Sequence, residues 1–349
     1  MMRDNAANAR HDYNDSESPS AEDCPPSQER LGAVMFIRNG WLAAVVASAL
    51  TVANAPAFAN PFIIEAGQSE SPFQTTFGMR YWYGLGNTSK DLYGFTRDTL
   101  VSRLTYDRVQ SHSLEAFIRM DHESGLFWKG YAGGGLLTGG NLKDEDFPPA
   151  ISPYSSTTST LQNQALGYLS VDVGGAILRA QSFRLDGFVG YHYLHQRVKA
   201  FGCQQTASNP VVCAGGISTN VAAIVEDDSW HAVRVGLNAD IPLFDRLRLN
   251  IEGAWLPFVW LVGTDNHLLR LSLPVPIRED GHASGYQAEA VVSYRYSEAI
   301  NLGVGARYWH MQSRGNAHFE DVGGVPQPLD FKANNYGVFL QGSYRFLTF

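Results

Sequence analysis

The strongest constraint on this chain is a two-residue alternation of apolar and polar side chains that recurs from residue 73 to residue 348. Period two is strand geometry, because successive side chains point to opposite faces of a sheet. Read this way, the sequence predicts about ten strands, over 73–84, 98–107, 113–135, 163–179, 183–200, 229–243, 247–262, 284–297, 300–314 and 333–348. Short connections are expected at Asp107–His112, Arg179–Phe183, Leu243–Arg246 and Ser297–Ile300. The connections between them are long, about a dozen residues or more, which is the loop asymmetry of outer-membrane barrels.

Composition supports the same class. Charged residues are only 17% of the chain and aromatics 12%, with 34 glycines and a net charge of -8. The mean hydropathy of -0.17 is too low for a bundle of membrane helices, and no second long apolar run follows the first. The fold class read from these features is all-β: a ten-stranded antiparallel transmembrane β-barrel with long extracellular loops and short periplasmic turns. A soluble β-sandwich is the alternative, but it would keep its loops more uniform. An even strand count returns both termini to the periplasmic side. Side chains largely fill the lumen of so small a barrel, whereas an open porin channel needs about 16 strands. Tyr81, Trp82, Trp128, Tyr131, Trp255, Trp260, Tyr308 and Trp309 are candidates for interfacial girdles, with some left to fill the lumen.

The ends of the chain suggest export. Residues 1–34 are polar and too poor in apolar side chains to fold, so they are expected to be disordered. Residues 35–59 read as a signal peptide. Met35 and Arg38 open it, an apolar stretch runs from Trp41 to Val52, and Ala57-Phe-Ala59 forms the cleavage site. Met35 is the expected start, residues 1–34 an over-extended gene start, and residues 60–349 the barrel. A single membrane anchor is disfavoured because the apolar run is short. The last strand ends in Phe349, similar to the assembly signal of outer-membrane barrels. Cys203 and Cys213 share one predicted loop. In an oxidising compartment they suggest a local disulfide, with two free thiols the alternative.

Two polar clusters stand out against this frame: Lys143-Asp-Glu-Asp-Phe147 and Thr264-Asp-Asn-His267. Each follows a strand that rises toward the long-loop side. Residues i and i+2 share a strand face, so Asp144 pairs with Asp146 and Asp265 with His267, and the two pairs can meet across one barrel mouth. Asp265 would fix the His267 tautomer and favour its imidazolium. His267 would take a proton from water, helped by Asp144 or Asp146, and that water would attack a peptide carbonyl. Taken singly, an acidic loop is ordinary solvated surface and Asp-x-His is weak. No further Cys, His or Glu stands at the spacing a metal site needs, so no metal is expected.

These residues resemble the omptins, ten-stranded outer-membrane endopeptidases of Gram-negative bacteria. The likeness covers most of the chain after the leader and is loose in the loops. It is carried by Ser102-Arg-Leu, by Gly139-Gly-Asn-Leu-Lys-Asp-Glu-Asp-Phe147 and by Asp265-x-His267. It implies Asp144, Asp146, Asp265 and His267 as catalytic residues, polypeptide substrates, cleavage without a covalent acyl-enzyme, and cutting near basic residues. It also implies lipopolysaccharide as an activator, with no cofactor. The family's acidic floor for a basic side chain maps onto Asp91 and onto Gly263, which has no charge, so an altered preference is expected. Arg197, Lys199 and Arg234 are loose candidates for lipopolysaccharide contact, with girdle or lumen roles the simpler reading. His192 and His195 read as barrel-wall packing. A monomer in the outer membrane is expected, with no nucleic-acid partner. The competing reading is a non-catalytic surface barrel acting as an adhesin or host-protein receptor. A narrow solute channel is a weaker third.

Overall fold

A computed structural model describes residues 72–147, 152–162, 164–180, 182–270, 275–320 and 323–346. The expected disordered stretch, leader, cleavage site and terminal Phe349 lie outside the described residues. Among the described residues eleven strands form: β1 (Phe73–Tyr93), β2 (Leu100–His122), β3 (Leu126–Asp146), β4 (Ser155–Leu161), β5 (Gln164–Ala180), β6 (Phe183–Gln205), β7 (Ile217–Phe244), β8 (Leu247–His267), β9 (Ile277–Arg295), β10 (Ile300–His318) and β11 (Pro326–Arg345). All pair antiparallel in one sheet, and β2–β3 and β1–β11 contacts close it into a ring. The strands β4 and β5 both lie between β3 and β6, so eleven strands fill ten positions around the wall. The all-β barrel read from the alternation is the architecture observed.

The expected strand edges needed two corrections. Strands are longer than the alternation suggested, and Asp107–His112 is not a turn. The first short turn instead follows His122, where the Gly125 amide bonds to the His122 carbonyl. The polar run misled because it is continuous strand with polar residues on both faces. Ser111 and Ser113 are buried in the lumen, while Gln110 and His112 face outward.

The outward face explains the extra length. An apolar band includes Met79, Val173, Val189, Trp255, Leu302 and Val338. At its upper edge Tyr81 bonds to His112 and Tyr191 to His231, each at 2.6 Å. Trp260 and Tyr286 are exposed there too. Of the aromatics expected in girdles, Tyr81, Trp128, Trp255 and Trp260 face outward, whereas Trp82 and Trp309 are buried in the lumen. Beyond this edge the outward residues turn polar: Asp91 on β1, Asn141 and Lys143 on β3, Asp227 on β7, Thr264 and Asn266 on β8, and Asp280 on β9. A membrane strand needs only about 9–11 residues, so the upper half of each long strand stands clear of the bilayer.

Side chains fill the lumen within the membrane band. Arg307 bonds to Glu115 at 2.7 Å and to Glu289 at 2.7 Å. Arg80 joins both carboxylates. Arg234 and Lys129 share Glu252 and Asp172. Trp82, Trp309 and Tyr168 pack edge to face above them, with ring centroids 4.8–5.6 Å apart. His192 is buried against Trp309, at 4.9 Å. Among the described residues, ion pairs and aromatic rings occupy the lumen at this level, and Arg234 lies inside the barrel rather than on a lipid-facing surface.

Candidate functional site

The upper ends of β1, β2, β3, β8, β9, β10 and β11 surround a cleft of about 540 Å³, open at the long-loop rim. Asp144, Asp146, Asp265 and His267 all line it. Simple alternation from the strand bases would not have put them there. In lower β3, Phe127 and Leu137 are buried and Leu126 and Leu136 exposed, so odd-numbered residues face inward. Above Gly139 and Gly140 the inward residues are Leu142, Asp144 and Asp146. The register shifts at this point, where β2 and β3 each carry an extra residue around Arg108 and Gly139. Such bulges re-aim a strand's side chains. Gly140 has φ +136°, and a Cβ there would meet the Asp107 carbonyl at 3.0 Å. Only glycine holds this conformation comfortably.

The same device recurs in β8. Ala254 and Leu256 are buried below, and Val259, Leu261, Gly263 and Asp265 above. One extra residue at Leu256–Pro257 shifts the register against both neighbours. The inward face therefore moves by one residue beneath each half of the site. Proline suits this point because a bulge leaves a residue free of the ladder.

His267 Nε2 lies 3.0 Å from Asp265 Oδ2, which leaves Nδ1 for a ligand. Asp265 Oδ1 is buried with no hydrogen-bond partner among the described residues. Burial would lower the His267 pKa, but the charge and hydrogen bond of Asp265, with Asp144 beyond, hold it up at about 9. Burial would raise Asp265, and the facing imidazolium keeps it below its usual value. Burial pushes Asp144 up to about 7; Asp146 and Asp265 add to the rise and His267 opposes it. Asp146 is also raised by burial, against a hydrogen bond from Ser102. At neutral pH the cleft thus holds a charged His267 facing a carboxyl near its midpoint.

Asp91 does not join this cleft. It follows the inward Lys90 by one residue, so it faces the other way, where both its oxygens pair with Arg103 at 2.6 and 3.1 Å. The expectation that Asp91 meets a substrate fails on strand parity. The acid expected at Gly263 reappears one strand away. Gly263 sits opposite Asp228, and a Cβ at Gly263 would come within 2.3 Å of Asp228 Oδ1. Asp228 belongs to a group the sequence reading missed. With Glu226 and Glu279 it offers carboxylate oxygens all within 4.8 Å of one another, and the Lys90 ammonium is inserted among them. The available signal was alternation: Lys90 in β1, and Glu226 and Asp228 in β7, all fall on buried positions. Cys203 and Cys213 are bridged, with Cα atoms 5.8 Å apart.

Fold and outward face define a membrane-spanning β-barrel of the outer-membrane type, with a polar cleft on its protruding rim. The particular architecture is omptin-like. The structure is similar to the outer membrane protease OmpT from Escherichia coli, with TM-score 0.67 and 14% identity over 80% of this chain and 98% of that one. A Pseudomonas aeruginosa FadL homologue matches with TM-score 0.25 and 9% identity, covering 79% of this chain and 90% of that one. The P. putida toluene transporter TodX matches at 0.27 and 8%, over 78% and 90%. Both superpose too poorly to carry an argument. No family model and no curated protein matches the chain.

Proposed function

We propose that this protein is an outer-membrane endopeptidase that hydrolyses peptide bonds in polypeptides at the cell surface. One observation carries the reading: a hydrogen-bonded Asp265–His267 pair and the Asp144–Asp146 pair line one cleft, and in both source strands a bulge turns them inward. The likeness to an outer membrane protease adds to it. A barrel that only adheres to other surfaces has no need of an Asp–His pair at the rim.

The proton inventory favours exchanging the roles that the sequence suggested. With Asp144 near 7 and His267 near 9, the prevailing state between those values is carboxylate plus imidazolium. Asp144 takes a proton from water as the water oxygen bonds to the peptide carbonyl carbon. His267, steadied by Asp265, gives its proton to the amine as the C–N bond breaks. The proton on Asp144 then returns to His267, and no covalent enzyme intermediate forms. A general acid and base of this kind are worth about 10²–10⁴ in rate each.

Lipopolysaccharide belongs in this reading as the activating surface. Arg197 and Lys199, half-exposed or exposed above the girdle, are the candidates on that face. The test is cleavage of a peptide library by the protein purified from outer membranes, with lipopolysaccharide, beside its His267→Ala variant. Cleavage lost in a variant that keeps its heat-modifiable gel mobility supports the reading. Equal cleavage by both proteins sinks it.

A further inference from the structure

Below the Asp265–His267 pair the cleft ends on Lys90, which is 2% exposed. Its ammonium is ion-paired with Glu226 from β7 and Glu279 from β9, and lies 3.8 Å from Asp228. Tyr106 donates a hydrogen bond to Glu226 at 3.2 Å, and the Phe331 ring lies 4.7 Å from the ammonium. Three carboxylates gathered this closely form a cage for a cation. Here the chain supplies that cation itself. Along β1, β9, β10 and β11 the cleft is apolar instead: Leu92, Ile277, Ala317, Phe319 and Leu329 pack together and line it. Arg270 adds a second fixed positive charge to the cleft.

We propose that Lys90 is a specificity-determining residue: its ammonium fills the acidic floor, so the cleft takes an apolar side chain beside the cut bond and turns away a basic one. The inference deepens the endopeptidase reading and rests on it for the word "cut". A substrate ammonium or guanidinium that reached the floor would meet Lys90 at close range, and like charges repel strongly where water is excluded. The negative charge of the cage is already committed to the Lys90 ammonium. Lys90 itself stays charged: burial opposes this, but Asp228, Glu226 and Glu279 together outweigh it. An apolar side chain needs none of these groups and gains by leaving water on the Leu92–Leu329 wall.

The experiment compares peptides that differ at one position, Leu or Phe against Arg or Lys, with wild type and Lys90→Met. Both proteins are purified from outer membranes and checked for heat-modifiable mobility. Wild type is expected to cut the apolar peptides at least about tenfold faster, and Lys90→Met to shift the basic-to-apolar ratio by about tenfold or more toward basic. A wild-type preference for Arg or Lys overturns the inference while leaving the peptidase reading intact. An unchanged ratio in folded Lys90→Met overturns it too. If that variant does not fold, the wild-type ratio alone decides. A second arm measures binding of the same labelled peptides to His267→Ala. If wild type cuts nothing yet apolar peptides bind more tightly than basic ones, the selectivity stands and the peptidase reading falls. Equal or tighter binding of basic peptides, or no binding with no cleavage, overturns the selectivity.

Discussion

Of the buried charge clusters in the barrel, the one around Arg307 and Arg234 in the membrane band and the one at the rim are built to opposite rules. In the lower cluster cations and carboxylates interleave. Arg80 and Arg307 grip Glu115 and Glu289, while Arg234 and Lys129 grip Glu252 and Asp172. At the rim, carboxylates outnumber cations: Asp144, Asp146, Asp265, Glu226, Asp228 and Glu279 face Lys90, His267 and Arg270. An excess of buried like charge is costly. A site that must offer charge to water and substrate bears that cost; a plug whose charges alternate does not. The lower cluster is therefore read as structure and the upper one as chemistry.

The sharpest way to break this contrast is to remove one charge from each cluster. His267→Ala at the rim should lower cleavage by about 10³-fold or more, within the range of acid–base catalysis. It should leave heat-modifiable mobility unchanged. In the lumen, Arg307→Met leaves Glu115 and Glu289 to Arg80 alone and should destabilise the barrel by about 3 kcal/mol, the low end for a broken buried pair, read by urea unfolding in detergent. Any molecule still folded should keep its cleavage pH profile. If Arg307→Met alters that profile in folded protein, the two clusters are one machine and the contrast fails.

Smaller effects sharpen the boundary between the clusters. Gly140→Val forces a β-branched residue to φ +136°, at a cost of about 1–3 kcal/mol for a strained backbone. Because the bulge turns Asp144 and Asp146 inward, cleavage should fall further than that loss of stability explains. Full activity in Gly140→Val would show that the bulge does not aim the site. The paired variant Cys203→Ser and Cys213→Ser should have the least effect on cleavage, leaving it unchanged, with a local loss of about 2–3 kcal/mol in a chain-entropy account. That loss should be confined to the loop between β6 and β7 and appear as faster proteolytic nicking there.

Much of this contrast was legible before any coordinates. Alternation identified the strands because each wall residue faces either lipid or lumen, and an i, i+2 spacing brought Asp144 to Asp146 and Asp265 to His267. Alternation also misled wherever the lumen is polar. Asp107–His112 looked like a turn because both strand faces there carry polar side chains. The bulges hid the true phase of β3 and β8, although Gly139-Gly140 and Pro257 mark them. Asp91 was placed in the site for want of one residue of phase, and Lys90 was missed for the same reason. Nor does local sequence connect Lys90 to partners 136 and 189 residues away; only closure of the barrel does.

The most direct test of the central claim is the pH dependence of kcat/KM for one good peptide, measured from pH 5 to pH 10.5. That quantity reports the ionisations of the free enzyme. If water is activated between Asp144 and His267, the rate should climb as Asp144 loses its proton near pH 7. It should hold a plateau, then fall as His267 loses its proton near pH 9. Asp144→Asn should remove the acid limb along with most of the activity. A rate that rises steadily through pH 9, or one indifferent to both values, would contradict the account.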